Sequence, residues 1–168
     1  MQPLETFDVV VVGGGPAGAT AATDLANMGR KVLLLDKAGR IKPCGGAIPP
    51  RLISEFSIPE ELLVARIRSA RMVSPKKARV DIPIDGGFVG MVDRDVFDDW
   101  LRDRAQANGA VRMTGSVVAL DRDPDGITVV QVRTGTRAGA STGAPTGSPG
   151  EEQPLQRIRA RAVIGADG

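Results

Sequence analysis

The sequence predicts an α/β fold in which a parallel central sheet carries an inserted segment of antiparallel strands. Three observations predict it. Residues 9–12 are four consecutive valines, the β-branched run of a strand buried on both faces. They break into Gly13-x-Gly15-x-x-Gly18 and a helix-compatible stretch. A second apolar run, KVLLL at residues 31–35, ends on an acid, Asp36.

Together these make one β-α-β unit over residues 7–36. Gly13 allows the tight turn, Gly15 lets backbone approach a pyrophosphate, and Gly18 lets the helix pack close to the sheet. The helix N-terminus, with Pro16 and Ala17, faces the anion. Ala22 keeps the helix close, and Gly29 ends it as a C′ glycine. Asp36 stands about twenty residues beyond the glycines, the spacing of a carboxylate that accepts a ribose hydroxyl. A lone GxGxxG is a weak signal; strand, glycines, helix and acid in register are a strong one.

Composition narrows the chemistry. The 168 residues suffice for a domain with a real core, and 22 basic against 20 acidic residues give a net charge of +2. That balance, with the basic residues scattered, does not point to nucleic acid. There is no histidine and no tyrosine, so imidazole acid–base chemistry and His ligation of a metal are absent. The single cysteine, Cys44, rules out an internal disulfide or a Cys cluster for metal and suits a reducing, cytoplasmic setting. Residues 9–12 are too short for a secretory h-region, and no run approaches the roughly 18 apolar residues of a membrane span. Membrane contact would be peripheral.

Further along, residues 37–50 read as a Gly/Pro-rich loop and residues 51–65 as helical with a break at Pro59. Strands are expected at 67–73, 78–84 and 87–92, separated by Ser74-Pro75 and Asp85-Gly86-Gly87. Residues 94–108 read as a helix with Val96, Phe97, Trp100, Leu101 and Ala105 on its apolar face. Residues 111–120 and 127–132 read as a hairpin. The Thr/Gly/Ala/Ser/Pro stretch at 134–150 reads as a dispensable surface linker. A last strand at 157–164 runs into Gly165-Ala166-Asp167-Gly168, which reads as the interior of a fold. The expectation is the N-terminal part of a longer enzyme, inactive alone.

The assembled pattern resembles the flavoprotein superfamily of aromatic hydroxylases and geranylgeranyl reductases. The resemblance is carried by Gly13-x-Gly15-x-x-Gly18, Asp36, Val92-Asp93-Arg94 with Phe97 and Leu101, and Gly165-Ala166-Asp167-Gly168. Within it, Lys42-Pro43-Cys44-Gly45-Gly46-Ala47-Ile48-Pro49-Pro50 and Ile58-Pro59 look like the geranylgeranyl reductase branch of the chlorophyll and bacteriochlorophyll pathway. The resemblance implies a Rossmann-like FAD-binding domain in three segments, residues 1–65, 94–133 and 153–168. It places a strand segment of a substrate domain at 66–93 and a flexible insert at 134–152. It implies FAD contacts from Gly13, Gly15, Pro16, Ala17, Gly18, Asp36, Lys37, Arg94, Val118, Gly165 and Asp167. It also implies NADPH as electron donor and a prenyl or prenylated-pigment substrate, with no nucleic acid and with peripheral contact to a photosynthetic membrane.

The implied activity saturates geranylgeranyl double bonds to phytyl; a hydroxylating mono-oxygenase and an inactive flavin-binding fragment share the same motifs. Saturating an alkene takes a hydride and a proton, and an unactivated alkene is weakly electrophilic, so protonation leads or accompanies hydride transfer. Cys44 is the candidate on the substrate side of the flavin, against the plainer reading of a small apolar filler. Arg94, a cation at a helix start, calls for an anion partner. No residue is identified as the proton donor.

Overall fold

The structure, a computed structural model, describes residues 4–37, 44–134 and 155–168. Its elements in chain order are β1 (Thr6–Val12), α1 (Pro16–Asn27), β2 (Val32–Asp36), β3 (Ala47–Ile48), α2 (Pro50–Glu55) and a 3-10 turn at Glu60–Leu62. Then come β4 (Leu63–Ile67), β5 (Ser69–Val73), β6 (Arg79–Pro83), β7 (Val89–Val92) and α3 (Arg94–Ala107). The last are β8 (Val111–Thr114), β9 (Ser116–Arg122), β10 (Thr128–Arg133) and β11 (Leu155–Gly165). The chain forms two compact units: one from residues up to Arg40 and from Trp100 onward, the other from Ile41 to Asp99.

The first unit is a six-stranded sheet in the order β8-β2-β1-β11-β10-β9. β1 runs parallel to both β2 and β11, and β2 parallel to β8. β10 and β9 add an antiparallel flank. The parallel part is apolar without alternation: Val32, Leu33, Leu34 and Leu35 are all fully buried, as the run of apolar residues predicts. Phe7, Val10, Leu33, Leu35, Val130, Val132, Ile158 and Ala160 make one core cluster across both parts of the sheet.

α1 lies close because its buried positions are small: Gly18, Ala19, Ala22 and Thr23. The Thr23 hydroxyl donates to the Ala19 carbonyl at 2.9 Å, so its burial leaves no unpaired group. The helix ends as expected at Gly29, φ +74°. Arg30 N–H donates to Leu25 O at 3.1 Å and Gly29 N–H to Ala26 O at 2.9 Å, a Schellman closure. Gly109, φ +103°, closes α3 the same way, with Ala110 N–H on Ala105 O at 3.0 Å.

Several expectations are corrected. Residues 111–120 are not one strand: the chain breaks at Gly115 into β8, which follows β2, and β9, which pairs with β10. A Cβ on Gly115 would lie 2.6 Å from Val132 Cγ1 and 3.0 Å from the Arg133 carbonyl oxygen, so the break falls where a side chain has no room. On α3, Phe97, Leu101 and Ala105 are buried at helical spacing, but Val96 is 54% exposed and belongs to the outer face. Trp100 is half-buried, with the Arg104 guanidinium 5.6 Å from its ring centroid.

In the second unit β3, β7 and β4 form an antiparallel sheet in that order, and β5 pairs with β6. The helix expected over 51–65 stops at Glu55, and residues 63–65 belong to β4. Ser57, at φ +49°, leaves the helical region, and Leu63 pairs with Val92. β3 lies inside the predicted loop. Gly46, φ +65°, turns the chain onto β7, where a Cβ would stand 2.2 Å from the Val92 carbonyl oxygen. Lys42, Pro43 and, apart from Thr134, the expected insert at 134–152 lie outside the described residues.

Candidate functional site

The ends of β1, β2 and β11 are level: Val12 is in register with Leu35 on one side and Gly165 on the other. Gly13 N–H donates to Leu35 O at 2.8 Å, and Ala166 N–H to Val12 O at 2.7 Å. The three segments singled out in the sequence, Gly13 to Gly18, Asp36 and Gly165 to Asp167, therefore meet at one sheet edge. That edge is the carboxyl end of the parallel strands, where open α/β sheets hold ligands.

The motif glycines divide into two kinds. A Cβ on Gly13, which sits at φ +111°, would lie 2.4 Å from the Ala166 carbonyl oxygen. One on Gly18 would lie 1.8 Å from the Gly13 carbonyl oxygen. Both are demanded by the chain's own backbone. Gly15 is different. Its φ of −74° and ψ of −176° suit any residue, and nothing stands within 4 Å of its Cβ position. It is the N-cap of α1 and makes no side-chain cap. The first-turn N–H groups of Ala17 and Gly18 have no intrahelical acceptor, and Pro16 carries none to satisfy. With no acid in the first turn of α1, no side chain of that turn offsets the helix dipole, the situation in which helix N-termini take up anions.

Asp36 is held from two sides. Gly14 N–H donates to its Oδ1 at 2.9 Å, and Arg102 Nη1 lies 3.1 Å from its Oδ2. Arg102 escaped the sequence reading. Its partner is 66 residues away, and the only local signal is a cation inside the apolar phase between Leu101 and Ala105. Lys37 and Asp167 are exposed, the latter with its backbone against Gly13. Val118 lies in β9, three residues beyond Gly115, whose N–H donates to the Asp36 carbonyl at 2.9 Å.

In the second unit the structure brings Cys44 and Arg94 together. Arg94 has found its anion within the chain: Nε and Nη2 each lie 2.9 Å from a carboxylate oxygen of Asp98, a bidentate pair one turn along α3. The pair is largely buried, and the Asp98 carboxylate, with a smaller contribution from Cys44, raises the Arg94 pKa against the opposing effect of that burial. Cys44 is exposed, and its thiol is pulled below the ordinary range, first by the Gly46 backbone N–H and then by Arg94; Asp98 opposes the shift. Both leading causes favour the thiolate. Alkylation of Cys44 by iodoacetamide is therefore expected to show a midpoint below that of an ordinary thiol. Arg94→Met should move it up part of the way, and Asp98→Asn should move it down. An unmoved midpoint in Arg94→Met would dissolve the pairing.

The model of the FAD dependent oxidoreductase family matches residues 8–145. The chain belongs to that family. The chain is 56% identical, over 96% of its length, to geranylgeranyl diphosphate reductase of Rhodobacter capsulatus. It is 37% identical, over 95%, to the chloroplastic geranylgeranyl diphosphate reductase of Oryza sativa subsp. japonica. It spans 37% and 34% of the lengths of these two proteins. Among solved structures it matches a geranylgeranyl bacteriochlorophyll reductase-like protein from Thermoplasma acidophilum, with a TM-score of 0.77 at 26% identity over 99% of this chain and 40% of that one. The residues of the first unit fit the family's cofactor. A dinucleotide needs room for a pyrophosphate before a helix N-terminus, and the one motif glycine without neighbours, Gly15, provides it. Among the described residues no helix is long and apolar enough to cross a membrane, and no His, Cys, Asp and Glu cluster could hold a metal ion.

Proposed function

We propose that this chain is the FAD-binding part of a geranylgeranyl reductase, which saturates the double bonds of a geranylgeranyl chain to give phytyl with electrons from NADPH. The 56% identity to the Rhodobacter reductase across nearly the whole chain carries the reading. The substrate is the free diphosphate or a chlorophyll or bacteriochlorophyll ester, which peripheral contact with a photosynthetic membrane would bring within reach.

When bound, FAD supplies hydride chemistry. The chain's own residues bind and orient. Gly15, Ala17 and Gly18 present N–H groups and open space to the pyrophosphate, Pro16 fixes the first turn, and Gly13 shapes the turn. Asp36 accepts a ribose hydroxyl: a carboxylate offers about four acceptor sites, and its two internal contacts leave capacity. Gly165 and Asp167 place a second carboxylate at the same edge; Lys37 follows Asp36 in the chain, and Val118 stands in β9, three residues beyond the Gly115 that donates to the Asp36 carbonyl. Arg94, as a nucleotide contact, and Cys44, as a substrate-side residue, follow from the family resemblance, as does the assignment of residues 66–93 to a substrate domain.

The test is mass spectrometry of products from the full-length protein given FAD, NADPH and either geranylgeranyl diphosphate or the pigment ester. Products that gain one H2 per bond without oxygen uptake are expected. A hydroxylated product formed with oxygen consumption would replace the reading with a mono-oxygenase.

A further inference from the structure

We propose that Arg102 is a positioning residue for the cofactor's adenosine ribose, acting through Asp36. The inference rests on the reading of Gly15 and Asp36 as the FAD site. Three groups close a ring. Gly14 N–H donates to Asp36 Oδ1 at 2.9 Å, Arg102 Nη1 reaches Asp36 Oδ2 at 3.1 Å, and the same Nη1 reaches the Gly14 carbonyl oxygen at 3.2 Å. The ring is tight: a Cβ on Gly14 would lie 2.8 Å from Asp36 Cβ and 2.9 Å from Arg102 Cδ. Both side chains are largely withdrawn from water, at 18% exposed for Arg102 and 28% for Asp36.

The ring does two things that Asp36 cannot do alone. It fixes the carboxylate plane, so the acceptor sites left on each oxygen keep one direction rather than sampling rotamers. It also sets a fixed positive charge beside a negative one at a site whose ligand is itself anionic. An uncompensated Asp36 would repel a pyrophosphate bound at the same strand ends; pairing with Arg102 lessens that repulsion. Because Arg102 also holds the Gly14 carbonyl, the phosphate turn and the ribose acceptor are braced by one side chain from α3.

The experiment titrates apo full-length protein with FAD and, in competition, with ADP and with 2′,3′-dideoxy-ADP. Arg102→Met is expected to weaken FAD and ADP about tenfold, the size of one charge-assisted hydrogen bond lost, and dideoxy-ADP several-fold less, because that ligand loses only the charge compensation and the brace on the turn. Arg102→Lys, which keeps the charge but not the fork, should fall between. Equal weakening of ADP and dideoxy-ADP would make Arg102 a phosphate contact or a packing residue and overturn the proposal. If Arg102→Met does not fold, Arg102→Lys carries the same comparison, and equal losses there overturn it likewise. Gly15→Val run alongside separates the two readings: unchanged FAD affinity there removes the FAD site itself, whereas loss there with none in Arg102→Met removes only the role of Arg102.

Discussion

Gly15→Val is expected to give a folded protein that purifies without FAD. The backbone at Gly15 is extended with negative φ, so valine adopts it without strain, and nothing lies within 4 Å of the new Cβ. Exchanging glycine for a β-branched N-cap costs about 1 kcal/mol, too little to unfold a domain stable by roughly 5–15 kcal/mol. The space it fills is the space proposed for the pyrophosphate, in front of the first-turn N–H groups. Losing one or two charge-assisted bonds there costs about 3 kcal/mol, close to a hundredfold in affinity. The ratio of flavin absorbance to protein, with circular dichroism as the check on folding, reads both halves of the prediction. Wild-type flavin content would mean that the cofactor does not approach Gly15.

Gly18→Ala is expected to do the opposite: to cost the fold rather than the ligand. Its Cβ would stand 1.8 Å from the Gly13 carbonyl oxygen and 3.1 Å from Ala166 Cβ. The first of these is backbone, held by Gly13 N–H on Leu35 O, and cannot swing aside like a side-chain tip. α1 would have to lift off the turn, uncovering Ala19 and Ala22. A destabilisation of about 3 kcal/mol or more follows, at the upper end of overpacking penalties. The thermal midpoint of the apo-protein reads it without any contribution from cofactor. A midpoint like that of wild type would show that the turn yields, and that Gly18 matters for the ligand instead.

These two glycines look alike as residues, yet their places in the motif assign them different tasks, and the structure likewise leaves Gly15 open and hems in Gly18. What the sequence did reveal was local. The β1-turn-α1-β2 unit is written in consecutive residues, each choice agreeing with the next, and Gly29 marks the helix end that the structure has. Asp36 was legible because its distance from the glycines is a property of one βαβ unit. Arg102 was not, because its meaning depends on a helix 66 residues from Asp36. β3 is two residues long, too short for any period to show. The break at Gly115 depends on Val132 across the sheet, and the strand at 63–67 on Val92. Val96 shares an apolar character with Phe97, and only packing decides which of the two turns inward.

The place of β11 in the sheet has a consequence for how the protein comes into being. β1 has two parallel neighbours: β2, close to it in sequence, and β11, whose Gly165 pairs with Val12. Closing a loop that long is entropically unfavourable and gives the topology a high contact order, which slows folding. Gly13, Gly15 and Asp36 are assembled by contacts within the first β-α-β unit, early and cheaply. Asp167 and the backbone of Ala166, on which Gly13 rests, arrive only when β11 docks beside β1. The site proposed for the nucleotide is thus assembled by the same docking that brings Ile158 and Ala160 into the core cluster, so flavin retention would report that this docking has taken place.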